Sequence, residues 1–232
     1  MSRIESEALV VRTVEFGEAD VIVTLVTEQV GKLGAIVRGA RRGSRRVGGA
    51  LEPVHTLWAD LEDKGGELAT LKEARIVRMR SGVVSNLEAL DAAGVALRWV
   101  RHAFPPRTPE PQGWKVLVDL LDVLDEGKSP PKLELAGAGL AMLGALGFAL
   151  DLERCVVCGR ECPPTKVSCV DPARGGLVCR SCGGASTVVL PQVRAAARAF
   201  AAGRPGDVSE KDAAALLDLV DRAMAAHAGF ER

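Results

Sequence analysis

The sequence predicts an α+β multidomain chain: a five-stranded barrel at the N-terminus, then an all-α bundle with a four-cysteine module embedded in it. Three observations carry this reading. Short β-branched runs separated by turn residues fill residues 8–78, the apolar period lengthens from two to nearly four beyond Val83, and two C-x2-C pairs interrupt the helical part. The boundaries fall at 1–80 for the barrel and 81–232 for the helical domain, with the cysteine module at about 153–186. A chain of 232 residues, 47% hydrophobic and 26% charged, is long enough for two domains and can bury a substantial core. With Phe 5, Trp 3 and no Tyr, that core must be built from Leu, Val and Ala.

The strand candidates are "ALVVRTV", "DVIVTLVT", "KLGAIVR", "EPVHTLWADL" and "ELATLKEARIV". Turn signals separate them at Phe16-Gly17-Glu18, at Gln29-Val30-Gly31, in an arginine-rich stretch, and at Lys64-Gly65-Gly66. Five strands in about seventy residues without a long helix suggest a closed barrel. The OB-fold is the commonest five-stranded solution; an SH3-like barrel is the rival, and pattern alone does not separate them.

Beyond the barrel, Val84, Leu87, Leu90, Gly94 and Leu97 share one helical face, and Trp114, Leu117, Val118, Leu121 and Leu124 share another. Two further helices follow the cysteines. One begins near Pro191, presents Val193, Ala197 and Phe200, and stops at Gly203. The other opens on Ser209 with Asp212 three residues later, an arrangement like a capping box, and turns Ala213, Leu216, Leu217, Val220 and Met224 inward.

No signal peptide is legible in "MSRIESEALVV", which carries Arg3, Glu5 and Glu7. The longest uncharged apolar run, Leu135 to Leu150, is shorter than a membrane span and contains four glycines. It reads as a buried helix with close backbone contacts. A cytoplasmic protein with no membrane partner is the expectation, and there cysteines point to a metal before disulfides.

Cys155 and Cys158, then Cys179 and Cys182, form two C-x2-C pairs separated by twenty residues. Each pair turns two thiolates to one side of a tight knuckle, and two knuckles complete a tetrahedron, so one structural zinc per chain is expected. Four thiolates leave no position for water or substrate. Cys162 and Cys169 are spare thiols; Cys162 offers a substitute ligand, and the plainer reading of both is small core or surface residues. Arg154, Arg160 and Arg180 offset the negative centre.

The arginine stretch reads "RGARRGSRRVGG", with Arg38, Arg41, Arg42, Arg45 and Arg46 and no acid, in a chain whose Lys+Arg 30 balances Asp+Glu 30. Guanidinium forks match phosphate oxygens two at a time, so an exposed loop of this kind fits a polyanion better than it fits plain solvation. Lys32 adds to the same surface. Only Phe16 and Trp58 could stack on bases, and either could instead be core. Binding would therefore be led by phosphates, with a single-strand salt slope of roughly −3.5 if all five arginines engage.

Catalytic groups are missing. There is no phosphate-binding G-x4-G-K-[ST] loop, the histidines His55, His102 and His227 are scattered, and acidic pairs such as Glu62-Asp63 and Asp125-Glu126 sit beside glycine as turn residues do. The chain does not read as an enzyme, and no small-molecule substrate is expected.

Two stretches carry a family likeness: "EFGEADVIVTLVTEQVGKLGAIVRGARRGSRR", with Glu18, Asp20, Thr27, Gly31 and Gly39-Ala40-Arg41-Arg42, and "CVVCGRECPPTKVSCVDPARGGLVCRSCGG", with Gly175-Gly176 before the second pair. The chain resembles the bacterial recombination mediators of the RecO family over nearly its full length. The resemblance implies an OB-fold, a helical domain and a zinc knuckle. It also implies binding to single- and double-stranded DNA, annealing of complementary strands, and work with RecR to load RecA onto DNA covered by single-strand-binding protein (SSB). An aromatic commonly follows the proline that opens the fourth strand in that family; here Val54 follows Pro53.

Three other readings remain. An RNA-binding or ribosome-associated OB and zinc protein would use the same basic loop. A protein-interaction scaffold would turn the arginines to acidic partners. A zinc hydrolase would require an open metal position, which four cysteines do not leave.

Overall fold

Alternation of apolar and polar residues over the N-terminal third becomes five strands: β1 (Ser2–Phe16), β2 (Asp20–Thr27), β3 (Gly31–Val37), β4 (Thr56–Asp63) and β5 (Leu68–Arg78). The computed structural model describes residues 2–42, 47 and 50–230. The strands close into a barrel in the order β1-β2-β3-β5-β4, with β3 and β5 parallel and β1 shared between β2 and β4. This is the OB-fold arrangement and excludes the SH3-like rival. Inward residues Val10, Val23, Leu25, Leu33, Ala35, Leu57, Leu61, Ala69 and Leu71 fill the barrel, aliphatic throughout, as the scarcity of aromatics requires.

β1 starts at Ser2, earlier than the apolar run beginning at Ala8 suggests. Arg3, Glu5 and Glu7 alternate with Ile4, Ser6 and Ala8, and Ser2 to Leu9 pair with Asp63 to Thr56 of β4. The β2–β3 turn is fixed by Thr27, whose buried hydroxyl donates to the Gly31 carbonyl at 3.1 Å and accepts from Val30 N at 3.0 Å. Gly31 sits at φ 76, and a Cβ there would stand 1.9 Å from the Thr108 carbonyl oxygen. Only glycine fits.

The chain forms two compact units, Met1–Asp125 and Glu126–Arg232. The first adds to the barrel the helices α1 (Ser81–Ser85), α2 (Leu87–Ala103) and α3 (Pro111–Glu126), the last of which ends one residue beyond the unit. Asn86 caps α2 by accepting from Glu88 N and Ala89 N. Of the apolar face expected for α2, only Leu97 is buried. Leu87 is 81% exposed and Val84 and Leu90 are also exposed, while Ala89, Ala92, Ala93, Ala96, Leu97, Trp99 and Val100 are buried. Small alanines let the helix lie close to its neighbours, and hydrophobicity alone points to the wrong stripe. On α3 the expected residues Trp114, Leu117, Leu121 and Leu124 are buried, and Val118 is half-buried.

Arg80 joins these helices to the barrel from a fully buried position. Its Nε donates to Asp122 of α3 at 2.8 Å, and Nη1 donates to the Val54 carbonyl and the Thr56 hydroxyl at 2.7 and 2.9 Å. Its backbone N–H donates to His55 Nδ1 at 3.1 Å, which gives that buried histidine a structural role.

The second unit contains α4 (Pro131–Ala145), α5 (Pro191–Ala201) and α6 (Glu210–Ala228), packed on one another. Ser209 accepts from Asp212 N at 3.2 Å and so caps α6 as the spacing predicts. A Cβ at Gly137 would meet the Phe200 ring at 2.7 Å, the close helix contact expected of the glycine-rich run. The cysteine region is itself a sheet, β6 (Asp151–Cys155), β7 (Ser168–Asp171), β8 (Gly176–Leu177) and β9 (Thr187–Val189), in the order β6-β8-β7-β9. Among the described residues no helix is long and apolar enough to cross a membrane.

Candidate nucleic-acid interface and metal centre

β3 ends at Val37 and delivers an exposed Arg38. The next residues are pinned to the β1–β2 hairpin. Gly39 N donates to Asp20 Oδ1 at 2.8 Å, a short turn spans Ala40–Arg42, and Arg41 N donates to the Ala19 carbonyl at 3.0 Å. The Arg41 guanidinium meets Glu15 Oε2 at 3.2 Å, an exposed ion pair. The acid that accompanies this arginine comes from β1, outside the loop. Val47 and Ala50 are buried in the barrel core, so the return of the loop is anchored as well. Arg45 and Arg46 lie outside the described residues, and Arg42 contributes the last backbone position of the turn.

Phe16 stands 52% exposed at the end of β1, in the hairpin that holds Arg41. Trp58 is half-buried on β4 with the Arg75 guanidinium 5.1 Å from its ring centroid. Neither belongs to the core. Val54 is buried at φ 71, an unusual backbone for a β-branched residue, with its carbonyl turned to Arg80. Lys32 is half-buried, and its Nζ donates to the Arg101 carbonyl at 2.6 Å near the end of α2; burial draws its ammonium below the ordinary lysine value. Across β1, β4 and β5 the row Glu5, Asp60 and Glu73 is acidic, with Arg3 bonded to Asp60 at 2.9 Å. One row of the barrel is therefore acidic, and the β3–β4 loop is basic.

In the second unit the four sulfurs of Cys155, Cys158, Cys179 and Cys182 all lie within 4.8 Å of one another. The first knuckle is tied by Gly159 N to the Cys155 carbonyl at 2.8 Å and Cys155 N to the Arg160 carbonyl at 2.9 Å. The second is a single turn, Arg180–Cys182, closed by Cys182 N on the Cys179 carbonyl at 2.9 Å. The knuckles meet where Cys179 N donates to Cys155 Sγ at 3.3 Å and Cys158 Sγ lies 3.8 Å from Cys179 Sγ. That separation is the edge of a tetrahedron with metal–sulfur bonds of about 2.3 Å.

The amide from Cys179, with further N–H groups from Cys158 and Val157, draws the Cys155 thiol down to about 6, while the sulfurs of Cys179 and Cys158 push Cys182 up to about 12. Four thiolates this close would repel, and a divalent cation would resolve the conflict. The donor set therefore fits a metal ion. Cys162 and Cys169 stand outside the group.

Arg194 of α5 supports the module from behind and is absent from any pattern-based reading of that helix. It is 1% exposed, and donates from Nε to the Leu152 carbonyl at 2.7 Å, from Nη1 to Pro163 at 2.7 Å, and from Nη2 to Cys162 at 2.8 Å. Gly176 presses on the same strand, since a Cβ would come within 2.3 Å of the Asp151 carbonyl oxygen.

An OB-fold barrel with a basic loop, followed by a helical domain carrying a four-cysteine centre, defines the class of protein. Family models described as "Recombination protein O N terminal" and "Recombination protein O C terminal" match residues 1–80 and 84–232. The DNA repair protein RecO of Geobacter metallireducens is 34% identical over 233 residues, 98% of this chain and 93% of that protein. The RecO of an Anaeromyxobacter species is 33% identical over 196 residues, 84% and 76% respectively. That of Geobacter sulfurreducens is 36% identical over 184 residues, 79% and 74% respectively. The chain belongs to the RecO family, and with it to DNA repair and recombination.

Proposed function

We propose that this chain is a recombination mediator that binds single- and double-stranded DNA mainly through phosphates and anneals complementary strands without ATP. With RecR it helps load RecA onto SSB-covered DNA, in the cytoplasm and on the nucleoid. The carrying observation is the anchorage of the basic loop. Asp20 and Ala19 hold its first turn, Val47 and Ala50 root its return, and exposed Arg38, Arg41 and Phe16 lie on or beside it. Arg38, Arg41, Arg42, Arg45 and Arg46 take the phosphates. Lys32 lies on the other side of strands β1 to β3, bonded to Arg101, and Phe16 offers one ring for a base to stack on.

Two polyanionic strands repel, and a protein that neutralises phosphates on both lowers the barrier while leaving base edges free to pair. The acidic row on β1, β4 and β5 discourages indiscriminate coating and lets product leave. No covalent step is required. The functional division follows the motifs, with DNA contact in residues 1–80 and a helical domain over 81–232. Its four cysteines hold one structural zinc, with all four positions filled.

Fluorescence-monitored annealing of complementary oligonucleotides tests this reading, without ATP and over a salt series. Wild type should accelerate annealing, and Arg41→Ala/Arg42→Ala/Arg45→Ala/Arg46→Ala should lose most of it together with a salt slope of about 2.8. Equal annealing by both proteins would move the DNA surface elsewhere.

A further inference from the structure

A second cationic group lies on another side of the barrel. In the register of β1, β2 and β3, Arg12 faces Thr24 and Thr24 faces Gly34, so Arg12 and Lys32, two residues before Gly34, point to the same side. Leu9 and Val26 share that side and are buried without belonging to the barrel core, beneath α2. The last turns of α2 carry Arg98, Arg101 and His102 to its edge. Lys32 Nζ donates to the Arg101 carbonyl, and Arg101 donates from Nη2 to His102 Nε2 at 3.0 Å. Basic residues at a helix C-terminus are ordinary. Arg12 and Lys32 come from strands, and that rule does not explain them.

The electrostatics of His102 reports the concentration of charge. Partial desolvation holds its pKa below the usual imidazole value, and the charges that act in the same direction are Arg101, Lys32, Arg98 and Arg12, all cations. Arg107, in the following segment, is turned away to Asp63 and the Gly66 carbonyl.

The cluster is distinct from the arginine loop. Glu15, which holds Arg41, is opposite Val21 of the barrel core, whereas Arg12 is opposite Thr24, so the two groups take opposite faces of β1.

We infer that Arg12, Lys32, Arg98, Arg101 and His102 form a second phosphate-binding face, which holds the backbone of a second nucleic-acid strand while the arginine loop holds the first. The inference rests on the annealing reading and adds a division of labour within one chain. Each face binds one strand, and annealing needs both.

The test measures binding of a fluorescent oligothymidylate and, separately, annealing. It uses wild type, the loop variant above, Arg12→Glu/Arg101→Ala, and Arg12→Glu alone, a change at an exposed position whose unaltered thermal melt would separate lost annealing from lost folding. The Arg12 variants should bind the single strand within about twofold of wild type yet anneal roughly tenfold more slowly. Wild-type annealing by both would overturn the inference and leave the loop reading standing. If the loop variant binds and anneals as wild type while the Arg12 variants do not, the loop reading falls and the second face stands.

A pH readout separates binding from mere folding. Phosphate neutralises the cations around His102 and raises its pKa, so binding takes up a proton there. In the loop-variant background, residual affinity should rise as pH falls from about 7 to about 6, and His102→Gln should flatten that rise. An unchanged pH profile in His102→Gln would count against the cluster.

Discussion

The Arg194 guanidinium donates to the Leu152 carbonyl at 2.7 Å and so fastens helix α5 to the strand that ends in Cys155. Its other nitrogens close on the Pro163 and Cys162 carbonyls. Arg194→Met leaves these buried acceptors without donors and should cost about 3 kcal/mol in denaturant unfolding. Arg194→Lys should recover less than half of that, because a single ammonium cannot span three carbonyls.

The metal centre gives a second prediction. The protein should bind one equivalent of zinc, measured by release to a chromogenic chelator, and Cys155→Ser or Cys179→Ser should abolish it. Structural zinc is worth on the order of 10 kcal/mol in small peptides, so the module should lose its fold with the metal. Cys162→Ser should retain the full equivalent, because its sulfur lies outside the group of four.

Gly31→Ala should be among the most damaging single-methyl changes in the barrel. The new Cβ would combine a left-handed backbone with a 1.9 Å clash against Thr108 O. A loss of about 3 kcal/mol or more is expected from thermal melts. Thr27→Val should cost about 1 to 2 kcal/mol, since it removes the hydroxyl that closes the same turn.

Asp63 links stability to pH. A hydrogen bond from Arg107, then one from Gly65 N, holds its carboxyl below the ordinary aspartate value. A depressed carboxylate stabilises the fold fully above its unfolded pKa, near 4, and loses that contribution as pH falls through the lower folded value. Urea midpoints between about pH 5 and pH 3 should therefore fall more steeply for wild type than for Asp63→Asn.

The parts legible in the sequence are those set by local pattern. Strand alternation, the Ser209 cap and the cysteine spacing each depend on residues close in the chain, and each appears where expected. The parallel β3–β5 pairing that makes the barrel an OB-fold joins Gly34 to Leu68 across the arginine loop, and no local signal announces it. The sheet around the cysteines leaves no periodic signal, because its strands run from two to five residues, too short for a period to register. On α2 the pattern points to the wrong stripe, because Leu87 outweighs alanine in hydrophobicity but not in burial. Buried Arg80 and Arg194 are invisible to pattern, since charged residues count as surface until their carbonyl partners are seen.

The long first strand has a consequence for the nascent chain. Ala8 to Phe16 find their partners as soon as β2 leaves the ribosome, but Ser2 to Leu9 must wait until Asp63 has been made. During that interval the N-terminal half of β1 is an open edge, the kind of surface on which two half-made chains can join. Arg3, Glu5 and Glu7 punctuate that half with charge. The residues that make it look least like a strand are thus the ones that guard it during synthesis.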